Sequence, residues 1–416
     1  MRIKIKIKDL IYLQIVFNCF AKFLITDLGF PNFINYFSDV ITIALVICTI
    51  KNKREHKKSL GKNIPIIIAG LIFLVGTISY LINFSSPLLY LWGLRNMFRF
   101  FVFFYCCVLY LKKVDGYRIF SLLEKIFIIN FFVCLYEYFV RNMTYDYLGG
   151  IFGNGIEGGN GPLDALLIIV CIYVILEFTN KRKKLPEVMS IITMALLIAA
   201  IAEMKFFFFQ LIIAIVVIIV LLKHNVKMFV VCVGAILIGT IALNVYSVLY
   251  PSQSEFLNLD FIIDYSAERT YGGSTDINRL TALPIIQEQI FKNELEKGLV
   301  GLGIGNGETS AYSFLNSTTY KMYGNYIKYT WFSHSFTFVE YGYIGLILYF
   351  LFFLIIAIDS YRFQTNDMMG QACLICTLLF VLFIVYNQIL RTESMGYTMF
   401  AIMSIPYIKE ERGLHE

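Results

Sequence analysis

The chain alternates long apolar runs with short polar breaks. The runs lie near residues 9–27, 33–50, 63–83, 88–111, 118–140, 160–178, 186–203, 205–222, 228–250, 335–357, 368–388 and 394–408. Most approach or exceed the roughly 18 apolar residues that a helix needs to cross a bilayer. In hydrocarbon a continuous helix satisfies its own backbone, so each run is expected to be helical. One break is far longer than the others, from Pro251 to His334. The pattern predicts an all-α integral membrane protein with about twelve spans and one large external loop between spans nine and ten. Residues 1–250 would hold the first nine spans, 251–334 an external subdomain, and 335–416 the last three spans and a cytoplasmic tail.

Within the long loop, INRLTALPIIQEQIFKNELEKG reads as an amphipathic helix. The Gly-rich GLGIGNG follows, then a Tyr-rich tract to Trp331. A second external segment, RNMTYDYLGGIFGNGIEGG at 141–159, is rich in glycine and aromatic residues. No repeat of fixed period is visible, which disfavours the repeat-built transporters.

Charge fixes an orientation. With the N-terminus in the cytoplasm, the segments 1–8, 51–62, 112–118, 181–184, 223–227, 358–367 and 409–416 fall inside, and they hold 22 of the chain's 35 Lys and Arg. That asymmetry obeys the positive-inside rule, with both termini cytoplasmic in a multi-pass protein of the cytoplasmic (inner) membrane. The N-terminal MRIKIKIKDL resembles the basic flank of a signal peptide, but Lys22 and Asp27 follow where small cleavage-site residues would stand. An uncleaved first span is expected.

Composition agrees: 58% hydrophobic, 15% charged, mean hydropathy +0.70. The net charge of +6 resides at span ends, so membrane lipids rather than nucleic acid are the expected surroundings. All nine cysteines sit in or beside apolar runs, which argues against an external disulfide framework. Cys373 and Cys376 form a C-x-x-C inside such a run and are assigned no redox or metal role.

Ionisable residues at membrane depth are costly, and they usually face a cavity, a partner or a substrate. Arg95 and Arg99 lie four apart in LWGLRNMFRFFVFF, on one helix face. Glu203 and Lys205 occupy the outer hairpin between spans seven and eight, and Arg391 and Glu393 the outer end of the last hairpin. Two readings stand for each. The arginines snorkel or bind an anionic ligand; Glu203 and Lys205 cap a turn or serve a site; Arg391 and Glu393 form an interfacial pair or face substrate.

The long loop carries an ordered series: Asn278-Arg279-Leu280, the turn Gly301 to Gly307, Ser333-His334-Ser335, then VEYGYIG re-entering the membrane. The glycine run lacks the G-x-G-x-x-G spacing and βαβ setting of a dinucleotide site. The order of arginine, glycine turn, histidine and E-x-G-x-x-G resembles the O-antigen polymerase and ligase superfamily, the Wzy-like polysaccharide polymerases. The corresponding residues are Arg279, Gly303, Gly305, His334, Ser335, Glu340, Gly342 and Gly345, and Glu203-x-Lys205 is similar to an element opening a middle span of these proteins. Ser335 departs from the Asn common in ligases.

The resemblance implies a membrane glycosyltransferase acting on a polyprenyl-diphosphate-linked oligosaccharide at the outer face, in O-antigen, capsule or exopolysaccharide assembly. It implies flippase and chain-length-regulating partners, no cofactor and no metal. Arg279 and His334 would be catalytic; Lys205, Arg95, Arg99 and Arg391 would bind diphosphate; Glu203, Glu340, Gly303 and Gly305 would support them. Arginine binds phosphate oxygens bidentately, whereas lysine supplies a compact charge. A glycan ligase and a flippase for lipid-linked sugars are the alternatives.

Overall fold

The computed structural model describes residues 6–51, 64–153, 159–221, 276–364 and 367–408, with isolated helical positions at 234, 240, 244, 247–248 and 264. The described residues are helices and turns, without a β-strand. Eight helices are long and apolar enough to cross a membrane, which makes this a multi-pass, all-α membrane protein.

The helices are α1 (Ile7–Thr26), α2 (Phe37–Lys51), α3 (Ile64–Ile82), α4 (Pro87–Tyr110), α5 (Lys113–Phe139), α6 (Asn160–Thr179), α7 (Leu185–Ile201) and α8 (Lys205–Leu221). In the long loop, α9 (Ala282–Gln289) and α10 (Leu295–Val300) are short. The chain then enters α11 (Ser333–Gln364), α12 (Met368–Tyr386) and α13 (Glu393–Ser404). Helices α7 and α8 are apolar but shorter than the eight. The ninth expected span, 228–250, and the loop segment 251–275 lie outside the described residues apart from isolated positions.

Helix α6 sits at the centre, with every residue from Leu163 to Glu177 buried. Around it the outer helices turn large apolar side chains outward, among them Ile43, Ile67, Ile129, Phe132, Ile212 and Ile347. Exposure of this kind is what lipid-facing helices require. Aromatic contacts join α4, α11 and α13: Phe100, Phe101, Phe352 and Phe400 pack ring against ring.

Polar groups close the bundle end where α5 begins. Asp115, nearly fully buried, accepts from the Tyr12 hydroxyl at 2.8 Å and the Lys112 amide at 2.9 Å, and pairs with Lys8 and Arg118. Lys183 pairs with Glu124 at 2.5 Å, and Tyr407 donates to Asp359 at 2.6 Å. The described residues 301–305 lie at the other end, against the end of α3 and the start of α4.

Three expectations about the loops change. The expected amphipathic helix over 277–298 is two short helices, because Lys292 and Asn293 take left-handed φ of 54° and 62° between them. The 141–159 segment is not wholly outside the bundle: Leu148 and Gly150–Gly153 are buried. Glu137 accepts the Gly150 N–H and Asn130 accepts the Ile151 N–H, each at 2.7 Å, so α5 supplies the acceptors that this inserted backbone needs. The re-entering helix begins at Ser333, which puts His334 in its first turn rather than at the end of a loop.

Helix α11 is broken at Gly342 (φ 62°, ψ −165°). At that break the backbone of Leu299 and Gly301 lies so close that a side chain at 342 would strike it. The glycine turn is thereby laid against the broken helix, with Leu302 N–H to Val339 O and Gly303 N–H to Glu340 O, both 2.8 Å. Glu340 Oε1 then accepts the amides of Gly305 at 2.9 Å and Gly307 at 3.1 Å. On its other side the turn touches α3 and α4: Ser79 donates to Gly301 O at 2.7 Å, and a Cβ at Gly93 would lie 2.5 Å from the Gly305 nitrogen. A small cluster centred on Ile286, Phe291, Ile327, Tyr329 and Phe338 packs the rest of the loop onto α11.

Gly342→Ala must strain a positive φ and displace backbone. We expect it to cost about 1–3 kcal/mol. The check is a lowered thermal midpoint in detergent, followed by size-exclusion fluorescence, with Gly70→Ala, whose added Cβ meets nothing within 4 Å, as the control.

Candidate functional site

Where the glycine turn meets α4 and the α12–α13 connection there is a cavity of about 210 Å³. Trp92 and Phe336 form its aromatic walls; Arg99, Arg391 and Glu308 supply charge, and Asn96 and Gln388 neutral polar groups. Local sequence explains the placement. Arg95 and Arg99 share a face of α4, and a short 3-10 turn, Ile389–Arg391, carries Arg391 to the same end.

Three cations meet three carboxylates here. Arg95 donates to Asp39 through Nε at 3.0 Å and Nη2 at 2.6 Å, and to Asn96 at 2.6 Å. Its Nη2 also reaches Glu393 at 3.1 Å, and its guanidinium lies 4.7 Å from the Trp92 ring centre. Arg99 pairs with the same Glu393 oxygen. Arg391 pairs with Glu308 at 2.9 Å and lies over the Phe336 ring at 3.0 Å. Asn96 donates to the other Glu308 oxygen at 2.8 Å.

Arg391 and Glu393 are therefore not paired with each other; each finds a partner on another element. Arg95 is committed to structure, holding α2, α4 and α13 together. Arg99 and Arg391 keep spare capacity: each has a buried Nε–H with no hydrogen-bond partner. A buried donor left unmade costs about 1–3 kcal/mol, and both residues that carry one line the cavity. Burial pushes the Glu308 carboxyl above the usual carboxylate range, while the Arg391 guanidinium and the Asn96 amide pull it back.

Arg279 and His334 stand beside this cavity rather than in its wall. The Arg279 Nε donates to Tyr386 O at 3.3 Å, and its guanidinium lies 4.5 Å from the Tyr386 ring centre and 5.3 Å from that of Phe332. His334 Nε2 is 2.9 Å from Arg279 O, and Nδ1 is 3.2 Å from Ile384 O. Both imidazole nitrogens thus face carbonyl oxygens; a neutral ring donates to one of them and sits between the Arg279 segment and the end of α12. Ser333 also anchors there, its hydroxyl donating to Asn387 O at 2.9 Å. The single stretch 384–391 serves both groups, accepting from the Arg279 side and delivering Gln388 and Arg391 to the cavity.

Lys205 pairs with Glu203 at 3.0 Å, and Glu203 holds a left-handed φ of 56° in the tight α7–α8 connection. The next residue, Phe206, stacks on Tyr386 with ring centres 3.7 Å apart and planes 9° apart. This stack carries the Glu203–Lys205 turn to the Arg279 side of the site. Gly303, Gly305 and Glu340 do not line the cavity; they belong to the hydrogen-bonded turn described above, which leads into Glu308. Among the described residues no group of three or more His, Cys, Asp or Glu converges as a metal site would require.

Asp39, Asn96, Glu308 and Trp92 were not among the expected site residues. Asp39 interrupts the apolar run FSDVITIALVIC, so the rule that singled out Arg95 applies to it equally. Glu308 directly follows the glycine turn, but no local pattern separates it from other loop acids.

No protein-family model matches the chain, and no curated protein matches it.

Removing one member of a buried ion pair strands the other, at a cost of about 3–5 kcal/mol. Glu393→Met is expected to lower the thermal midpoint strongly, and the double variant Arg99→Met, Glu393→Met to recover part of the loss. Equal midpoints for wild type and Glu393→Met would show the pair to be energetically idle.

Proposed function

We propose that this protein is a polysaccharide polymerase that joins polyprenyl-diphosphate-linked oligosaccharide repeat units at the outer face of the cytoplasmic membrane, with about twelve spans and both termini inside. The observation that carries the reading is the cavity holding Arg99 and Arg391, each with an unmade buried N–H, at the bundle end that bears the long loop. A diphosphate offers the oxygens those donors need, and guanidinium groups bind such oxygens by strong charge-assisted hydrogen bonds.

In this reading the growing chain is the donor and the incoming repeat unit the acceptor. An acceptor hydroxyl attacks the donor's anomeric carbon, and lipid diphosphate leaves. Arg99 and Arg391 stabilise the charge that grows on the leaving group, the kind of term that contributes most to such reactions. Arg279 and Lys205, flanking the Phe206–Tyr386 stack, hold the second substrate, and His334 fixes the Arg279 segment. The cavity walls of Trp92 and Phe336 offer apolar faces to sugar rings or to the first isoprene units. The resemblance of the Arg279, Gly303, Gly305, His334 and Glu340 series supports the same reading independently of the cavity.

The test is polymer length in cells lacking this protein. Wild type is expected to restore long chains, while Arg279→Ala, His334→Ala and Arg391→Ala, at matched membrane abundance, leave mostly single lipid-linked repeats. Unchanged polymer in the deletion would remove the polymerase reading. Repeat-unit transport into sealed vesicles by the purified protein would favour a flippase, and polymer that is made but not attached to its final acceptor would favour a ligase.

A further inference from the structure

The cavity lining includes one carboxylate, Glu308, and it is built in with care. Its side chain is 3% exposed, and each oxygen receives one directed donor, from Asn96 at 2.8 Å and from Arg391 at 2.9 Å. The Thr309 amide is a third donor to the carboxylate, which leaves one of its four lone pairs for an incoming proton. The backbone is fixed as well: Ser317 N–H donates to Glu308 O at 2.9 Å, and the preceding Gly307 donates its N–H to Glu340 at 3.1 Å. Such support holds a side chain within the small tolerance that proton transfer demands.

His334 is placed differently. Both its ring nitrogens face backbone carbonyls at 2.9 and 3.2 Å, and it does not line the cavity. A neutral imidazole donates to one of these carbonyls, and its single nitrogen lone pair faces the other carbonyl rather than the cavity.

We propose that Glu308, rather than His334, is the catalytic residue that accepts the acceptor hydroxyl's proton during glycosyl transfer. This rests on the polymerase reading above. In the step, the hydroxyl oxygen forms a bond to the anomeric carbon as the bond from that carbon to the diphosphate oxygen breaks. The hydroxyl proton passes to a Glu308 oxygen, and the bonding electrons leave with the diphosphate, whose charge Arg99 and Arg391 meet. No other reactant is needed.

The groups facing Glu308 suit this role. Arg391, Arg99 and Asn96 stabilise its ionised form, from the α12–α13 connection and from α4. Glu340 and Tyr341 of α11 and Tyr329 of the loop lie on its other side, where Glu340 disfavours a second charge. Burial raises the proton affinity of Glu308 above that of an exposed carboxylate, which makes it a stronger base than a surface Glu.

The experiment is elongation in proteoliposomes containing the full chain, with lipid-linked repeat unit extracted from cells that lack it. Glu308→Gln keeps the size and one acceptor oxygen, and its rate is expected to fall at least about 100-fold. Glu308→Asp should retain part of the activity. Wild type should lose rate as pH falls through the Glu308 pKa, because the base must be unprotonated; Glu308→Asp should keep that acid limb, and Glu308→Gln should lack it. Binding of the extracted repeat unit should stay within about threefold of wild type for both variants, which separates chemistry from folding. A Glu308→Gln enzyme as fast as wild type, or one with the same acid limb, would overturn the assignment. Loss of binding in both variants would overturn it as well, making Glu308 structural. No elongation by wild type would instead remove the polymerase reading, and this inference with it.

Discussion

A buried acid inside an apolar bundle needs hydrogen-bond partners, and the amides of Gly305 and Gly307 both donate to one oxygen of Glu340. This contact is one of several that hold the segment to the helices. It fixes the glycine turn to the membrane helix, and the turn in turn presents Glu308 to Arg391 and Asn96. The helix break at Gly342 accompanies this contact, and a Cβ there would collide with the backbone of Leu299 and Gly301. Glycine is required where the turn presses on other backbone: a Cβ at Gly305 would collide with Leu89 of α4.

The second organising feature is charge balance. Three arginines and three acids share a region where an isolated ion would be expensive. Arg95 spends its capacity on Asp39, Asn96 and Glu393 and so ties α2, α4 and α13 together. Arg99 and Arg391 are less completely used, and they face the cavity. The division separates a cation that builds the site from two that are available to a ligand, although all three look alike in the sequence.

Much of the helical architecture was legible in the chain. The apolar runs near 63–83, 160–178 and 368–388 reappear as helices over 64–82, 160–179 and 368–386, because hydrocarbon leaves a backbone no other economical choice. The shared face of Arg95 and Arg99 followed from helical spacing and is seen in their common partner, Glu393. Pairings across the fold were not legible. Arg391 and Glu393 are near neighbours in sequence, yet tertiary packing gives each a different partner. The left-handed pair Lys292 and Asn293 divides a segment whose periodicity reads as one helix. Glu308 becomes informative only once the turn is folded against α4, and His334 changes from a loop residue to a buried clamp because α11 starts before it.

The central claim is that the Arg99–Arg391 cavity receives a lipid diphosphate. The most direct measurement is equilibrium binding of a short polyprenyl diphosphate to the purified protein in detergent, with the corresponding polyprenyl alcohol as control. The account predicts saturable binding of the diphosphate, at least tenfold weaker with Arg391→Met, and none of comparable strength for the alcohol. Equal binding of alcohol and diphosphate, or diphosphate binding indifferent to Arg391, would contradict it.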